Sequence, residues 1–313
     1  MIRWLTTITL AICLCLPMLA NADPLKPSIK QQIDLGKKAA DQIRKEEKVL
    51  PATDPRVIEL RRLGALALAQ IPEKESKDKP FEYTFDVIDS KELNAFAMPG
   101  GPIFFYTGLL DKMKTEDEVI GILSHEITHV RNQHWASQYA DTMKRKLGLM
   151  VVLTILNANS DILNATDMLD DIVVGLKYSR KHETEADTFG YDMMTGAGYN
   201  PRGMVDVFQI LLNAGGSKPP EILSTHPDTA KRIESLKSKI QKDKRKFPAM
   251  RSRKSKVAMG SSLDITWVNG WPNLGEASSG SAQTSGPSDP LKKQGGGLSI
   301  SLPHWPAAQL LPQ

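Results

Sequence analysis

Cysteine is nearly absent from this chain of 313 residues, which has only two, Cys13 and Cys15. Both lie in an apolar N-terminal segment, so a mature chain without that segment would have no disulfide. Aromatic residues make up only 6% of the sequence, and the formal net charge is only +4. The basic excess lies mainly at 237–256 and does not alternate with aromatic residues. We therefore expect no nucleic acid among the partners.

No apolar run approaches the roughly 18 to 20 residues that a membrane-spanning helix needs. A run at 8–19 follows the basic Arg3 and precedes a small-residue site ending at Ala22, the pattern of a secretory signal peptide. Residues 1–22 are predicted to be removed after Ala22, which places the protein in the periplasm; the alternative is an uncleaved anchor. A second run at 147–158 predicts core helix or a membrane-touching surface, so a peripheral membrane or outer-membrane assembly contact stays open.

The most informative stretch is Ser124-His125-Glu126-Ile127-Thr128-His129-Val130. On a helix, residues four apart share a face at roughly 5 to 6 Å between Cβ atoms, so His125 and His129 could bind the same zinc ion. Glu126 lies beside them and would act as the general base. A helix is predicted from about Glu116 to about Gln138, preceded by a capping box at Thr115. The alternative is a buried helix with two hydrogen-bonded histidines.

The rest of the chain predicts further helices and a small sheet. Apolar residues recur at helical spacing in 28–49 and in 54–68, whereas 80–90 alternates apolar and polar residues as a strand does. A Pro-Gly-Gly-Pro turn precedes a second strand at 103–107, and such residues suit a sheet edge. This edge would bind an extended peptide substrate by strand addition, or it is a plain hairpin. The predicted substrate-binding residues are Asn94, Ala95, Phe96, Ala97, Met98, Pro99, Gly100 and Gly101.

A catalytic zinc site usually has three protein ligands and one position for water, so a third ligand is needed. His134 lies nine residues after His125, one short of the metzincin spacing, and is predicted to continue the same helix outside the metal's ligand set. The stretch 178–187 is a better source, because Glu183 and Asp187 lie one helical turn apart. One carboxylate could bind zinc while the other orients a ligand or moves a proton. By itself, this stretch also fits a solvated charged helix face.

Three motifs in order, Asn94-Ala95-Phe96-Ala97-x-Pro99-Gly100-Gly101, His125-Glu126-x-x-His129 and Ser179-Arg180-x-x-Glu183-x-Glu185-Ala186-Asp187, resemble those of metallopeptidase family forty-eight. This is the family of HtpX and the CAAX prenyl proteases, and the likeness is closest to its soluble, exported BepA-like members. The resemblance implies an α+β, mainly α, zincin-type fold with a small sheet at the cleft edge. It also implies zinc ligands at His125, His129 and Glu183, a base at Glu126 and a second acidic site residue at Asp187. Glu185 would be a neighbour of this site.

His226 precedes Pro227 at a predicted helix start, where a histidine is usually a capping or surface residue. The resemblance suggests instead that His226 contacts the metal in the water position of a resting, self-inhibited state. The peptidase domain is predicted at 23–247. The segment 248–313 is low in complexity and rich in Gly, Ser and Pro toward its end, and is predicted to be largely disordered.

These features predict a zinc-dependent endopeptidase, with a single zinc ion per chain, that cleaves misfolded or envelope proteins in the periplasm. A protease-fold chaperone or adaptor for envelope proteins is the alternative. A structural zinc protein is a third class, but an adjacent Glu126 base would serve no purpose in a closed site.

Overall fold

The computed structural model describes residues 23–155, 177–214, 219–253, 266–268 and 271–273. Its helices are α1 (Ile29–Glu46), α2 (Pro55–Leu68), α3 (Glu73–Asp78), α4 (Thr107–Lys112), α5 (Glu116–Arg131), α6 (His134–Ile155), α7 (Arg180–Gly196), α8 (Arg202–Asn213), α9 (Ile222–Thr225) and α10 (Thr229–Lys242). Its strands are β1 (Thr84–Ile88), β2 (Ala95–Ala97), β3 (Pro102–Tyr106), β4 (Thr266–Val268) and β5 (Trp271–Asn273). The predicted fold class, mainly helical with a small sheet, is confirmed.

The main sheet has the strand order β1-β3-β2. β1 pairs parallel to β3 with Phe85 opposite Ile103, and β2 pairs antiparallel to β3 with Phe96 opposite Phe104. β2 is therefore an edge strand, and it packs beside α5. The tight turn between β2 and β3 uses Gly100, whose φ of +83° lies in the left-handed region.

α1 packs against this turn. A Cβ atom on Gly100 would lie 2.4 Å from the Cα of Ile33 in α1, so only glycine allows the backbones to approach so closely. This contact fixes the turn that leads out of the edge strand. The predicted substrate residues from Met98 to Gly101 are accordingly buried, which leaves β2 itself as the part of the motif that lies along the sheet edge.

α5 forms the centre of the fold. Thr115 caps it through a complete capping box with Glu118, as predicted. Every residue from Asp117 to Val130 is buried, because α2, α7, α8 and β2 surround the helix. Ile120 of α5 belongs to the same hydrophobic core as the fully buried side chains of Leu60 and Tyr191.

The predicted helix from Glu116 to Gln138 is wrong in its last third, because α5 ends at Arg131. Gln133 has a φ of +55°, in the left-handed region that interrupts a right-handed helix. His134 therefore starts the separate helix α6 and does not continue α5 as predicted.

Described residues that follow the predicted end of the peptidase domain at 247 also pack against α5 and α2. The Asp117 carboxylate, at the start of α5, accepts hydrogen bonds from the backbone N–H groups of Asn200 and Arg251, both at 2.6 Å. Arg253 forms an ion pair with Glu59 of α2 at 2.6 Å. Farther on, β4 and β5 pair antiparallel. The predicted signal peptide at 1–22 and the other residues of the tail after Arg253 lie outside the described residues.

Among the described residues, no helix combines the length and apolar character needed to cross a bilayer. In the apolar run at 147–158, Leu147 is the residue whose side chain is described, and it is 50% exposed. The choice between core and membrane surface for this run stays a prediction.

Candidate metal centre

α5 presents two imidazoles on one face, one helical turn apart. The Nε2 atoms of His125 and His129 lie 3.0 Å from each other, and both side chains are buried. This is the arrangement that the sequence spacing predicts.

α7 crosses α5 closely and contributes a carboxylate. The crossing is tight at Gly190, where a Cβ atom would lie 3.1 Å from the backbone nitrogen of His125. Ser179 caps α7, so Glu183 falls in its first turn. Its Oε2 lies 3.7 Å from His125 Nε2, and its Oε1 lies 3.6 Å from His129 Nε2.

His226 completes the cluster from the residue that follows α9. Its Nδ1 lies 3.3 Å from His125 Nε2 and 3.1 and 3.2 Å from the two Glu183 oxygens. Its other ring nitrogen, Nε2, lies 3.7 Å from Glu126 Oε1. His226 therefore lies between the two histidines of α5 and the predicted base.

These donors suit a divalent metal ion. Ligand atoms of His125, His129, Glu183 and His226 all lie within 4.8 Å of one another, and all four side chains are buried. A tetrahedral zinc site with bonds of about 2.0 to 2.1 Å has ligand atoms about 3.3 Å apart. The separations given above, from 3.0 to 3.7 Å, surround that value. The residues present thus fit a zinc ion in number, chemistry and spacing.

Glu126 is fully buried, and neither of its carboxylate oxygens has a hydrogen-bond partner among the residues that the structure describes. Burial raises the pKa of Glu126 above its ordinary value, because the apolar surroundings disfavour the charged carboxylate. Burying a carboxylate without a hydrogen bond lowers the stability of the fold, so its presence beside a metal-type cluster indicates a chemical role.

Asp187, one turn after Glu183, lies behind His125. Its Oδ1 is 3.1 Å from His125 Nδ1, the ring nitrogen that faces away from the cluster. A carboxylate in that position holds the imidazole in the tautomer whose Nε2 is free to bind metal.

Arg232 of α10 neutralises both carboxylates and was not predicted from the sequence. Its Nη1 lies 2.5 Å from Glu183 Oε2, and its Nη2 lies 2.7 Å from Asp187 Oδ1. Burial alone would raise the pKa of Asp187, but the Arg232 charge outweighs it and holds that pKa well below the usual range. The signal was available in the pattern of α10, whose buried positions include Thr229, Arg232, Ile233 and Leu236. An arginine on the apolar face of a helix implies a buried anionic partner.

Burial also tends to lower the pKa of His226, yet the Glu183 and Glu126 carboxylates raise its net pKa. For Glu183 burial acts in the opposite sense, but His226 and Arg232 leave the net pKa lowered. In the metal-free cluster, the carboxylates thus favour a proton on His226, and a divalent cation would replace that positive charge.

Fold and site together define a centre of the metallopeptidase class. A profile described as peptidase family M48 matches residues 58–240. The chain belongs to that family, which confirms the predicted family and class.

Similar proteins carry related names. Metalloprotease YcaL of Escherichia coli K12 is 29% identical over 165 residues, covering 51% of this chain and 63% of that protein. Mitochondrial metalloendopeptidase OMA1 of Arabidopsis thaliana is 33% identical over 152 residues, covering 48% of this chain and 30% of that protein. Beta-barrel assembly-enhancing protease of Escherichia coli K12 is 25% identical over 221 residues, covering 68% of this chain and 44% of that protein. The protein in the crystal structure of S. mikatae Ste24p shares 18% sequence identity with this chain. The two structures superpose with a TM-score of 0.41, covering 74% of this chain and 65% of that one.

The chain spans about half the length of the curated relatives that it matches. Family membership and the metal-type centre belong to the matched region.

Proposed function

We propose that this protein is a zinc-dependent endopeptidase, with zinc held by His125, His129 and Glu183. The observation that carries the proposal is the buried cluster of metal-type donors next to Glu126, whose carboxylate accepts no hydrogen bond from the described residues. Glu126 and Asp187 are the proposed acid-base and orienting groups.

When bound, zinc supplies Lewis acidity, which lowers the pKa of water toward about 7 and polarises a carbonyl. Glu126 accepts a proton from the attacking water and delivers it to the leaving amide nitrogen, a task suited to its raised pKa. Asp187 holds the Nδ1–H of His125, and Arg232 keeps Glu183 and Asp187 charged and in place.

The proposed substrate is an extended peptide that pairs with the outer edge of β2. The strand lies outermost in the sheet and next to α5, which bears the metal-type histidines. Backbone hydrogen bonds along Ala95–Ala97 would bind many sequences, since strand addition depends little on side chains. Such an edge suits a protease that acts on unfolded protein segments.

His226 is proposed to gate the site. Its Nδ1 lies 3.3 Å from His125 Nε2 and its Nε2 lies 3.7 Å from Glu126 Oε1, so its ring lies where we propose that the attacking water binds. In this state the base and the metal position are both covered, so the site is self-inhibited until His226 moves away.

The proposed location is the periplasm. The proposed substrates are misfolded or envelope proteins, and the proposed partner is a peripheral membrane or outer-membrane assembly contact. Support comes from the predicted signal peptide at 1–22 and from relatives named beta-barrel assembly-enhancing protease.

The decisive test is Glu126→Gln in the purified protein. We expect bound zinc, measured by elemental analysis, to stay equal to wild type while cleavage of an unfolded protein substrate falls at least about a hundredfold, because the base is lost. Glu234→Gln on the exposed face of α10 is the matched control and should leave both measurements unchanged.

A Glu126→Gln protein that still cleaves at the wild-type rate refutes the proposal. If wild type itself does not cleave but both proteins prevent aggregation of unfolded envelope proteins, the chaperone or adaptor class is correct.

A further inference from the structure

His134 contacts the outer nitrogen of a proposed zinc ligand. It is buried at the start of α6, and its Nδ1 lies 3.0 Å from the Nδ1 of His129. His134 Nε2 lies 3.1 Å from Glu185 Oε2 on α7. Three side chains from three helices thus form a continuous series, Glu185 to His134 to His129, that ends at the metal-type cluster.

The chemistry of each group fixes where the protons lie. An ionised carboxylate only accepts hydrogen bonds, so the Nε2 of His134 must carry the hydrogen that Glu185 accepts. A neutral imidazole has one N–H, which leaves the Nδ1 of His134 as an acceptor. The facing Nδ1 of His129 must then be the donor, and its Nε2 retains the lone pair that a metal requires.

The other proposed ligand histidine has a parallel arrangement. His125 donates from Nδ1 to Asp187 directly, at 3.1 Å. Among the described residues none places a carboxylate at the Nδ1 of His129, and His134 extends the connection to Glu185 instead. Glu185 is itself held by Asn132 at 3.4 Å and by Lys181 at 3.8 Å. Both histidines of α5 are therefore anchored to an acidic residue of α7, one directly and one through a second ring.

We propose that His134 and Glu185 form a positioning relay that sets the tautomer and ring orientation of His129 for metal binding. The relay rests on the proposed function, since it concerns a ligand of the proposed zinc site. His134 and Glu185 are positioning residues, because neither lies among the four clustered donors.

The test measures zinc affinity of the full protein by competition with a chromogenic chelator. His134→Phe keeps a ring of similar size but removes the acceptor, and should weaken zinc binding by about 10- to 100-fold. His134→Asn restores an oxygen acceptor near Nδ1, so its affinity should lie between those of His134→Phe and wild type. Glu185→Gln keeps a neutral acceptor and should weaken binding by less than His134→Phe, though by at least about threefold.

His182 provides the matched control. Its ring stacks on that of His134, with centroids 4.5 Å apart, but its Nδ1 has no hydrogen-bond partner in the described part of the chain. His182→Phe keeps the stacking and should leave zinc affinity unchanged. Substitution by cobalt adds a spectroscopic readout, because a reoriented His129 shifts the visible absorption bands in His134→Phe and not in His182→Phe.

The outcomes separate the two proposals. If wild type binds no zinc, the proposed function fails and the relay with it. If wild type binds zinc and a folded His134→Phe protein binds it equally tightly, the relay alone is refuted. Equal losses in His134→Phe and His182→Phe also refute it, because they indicate packing. Should His134→Phe fail to fold, the zinc affinity of Glu185→Gln is the deciding measurement. The Glu185 side chain is 34% exposed, so this substitution should leave the protein folded.

Discussion

His226 is proposed to compete for the position that a catalytic water would need. Its Nδ1 joins the metal-type donors, and its Nε2 points toward Glu126 Oε1 at 3.7 Å. The site as folded therefore contains one donor more than the three that a catalytic zinc enzyme requires.

We predict that His226→Ala increases peptide cleavage by about tenfold, which corresponds to removing a contact of about 1.4 kcal/mol from the resting state. The increase should appear in kcat/KM, measured with a fluorogenic peptide. Zinc content should stay near wild type, because His125, His129 and Glu183 remain. Unchanged or lower activity in a folded His226→Ala protein would contradict the gating role.

The residues of the site differ in how far sequence could reveal them. His125, Glu126 and His129 form a local pattern, and helix geometry alone brings the two rings together. Glu183 is remote in sequence, so its selection over other carboxylates depended on the family resemblance. Arg232 was not predicted: its place on the apolar face of α10 implies a buried anionic partner, but only the packing of α10 against α7 shows that the partners are Glu183 and Asp187. The roles assigned to these residues remain predictions until the variants are measured.

At the scale of elements, the N-terminal cap of α5 supports the whole site. The Thr115 hydroxyl accepts a hydrogen bond from the Glu118 backbone N–H at 3.2 Å, and the Thr115 backbone N–H donates one to the Glu118 carboxylate at 2.8 Å. We predict that Thr115→Ala lowers the free energy of unfolding by about 1 kcal/mol, the usual value of such a cap.

This loss should appear as a lower midpoint in urea denaturation with an unchanged slope. Thr115→Ser keeps the hydroxyl and should remain close to wild type. If Thr115→Ala and Thr115→Ser are equally stable, the cap contributes nothing to α5.

The C-terminal end of α5 is joined to α3 by a bidentate ion pair. Arg131 Nη2 lies 2.5 Å from Glu75 Oε2, and its Nε lies 2.8 Å from Oε1. The Arg131 hydrogen bond lowers the pKa of Glu75 from 4.5 to about 2. Because the folded-state pKa is lowered, the pair stabilises the fold above pH 4.5, and this contribution is lost as pH falls toward 2.

We predict that Glu75→Gln costs about 1 to 2 kcal/mol at pH 7, the range of a partly buried charged hydrogen bond. The difference from wild type should shrink steadily as pH falls below 4.5, measured by urea denaturation at each pH. Glu73→Gln, in the exposed pair with Lys77, is the control and should show little effect. A difference that stays constant from pH 7 to pH 3 would exclude the linkage.

The elements also show which parts of the fold the sequence could determine. The start of α5 was predictable because the capping box is a local signal at Thr115. Its end was not, because Gln133 adopts a left-handed conformation without the glycine or proline that marks such breaks. The pairing of β1 with β3 in parallel was likewise hidden, since alternation predicts a strand but not its neighbour.

At the scale of the whole molecule, the metal centre joins three parts of the chain that are distant in sequence. His125 and His129 belong to α5, Glu183 belongs to α7, and His226 follows α9. Arg232 compensates the charges of Glu183 and Asp187 without any metal. The metal-free protein should therefore stay folded, and metal should add stability to an existing site.

We predict that zinc at about a thousandfold above its dissociation constant stabilises the protein by about 4 kcal/mol, because it binds the folded chain and not the unfolded one. For a chain with a domain of this size, that corresponds to a rise in Tm of about 10 °C, measured by calorimetry before and after chelation. The far-ultraviolet circular dichroism of the chelated protein should match that of the zinc-bound protein. His129→Ala removes one ligand from the first pair and should lose most of the zinc-dependent rise, measured against the Tm of the same variant in chelator. An equal rise in wild type and His129→Ala would mean that zinc binds elsewhere on the chain, and the three-part centre would then not be the metal site.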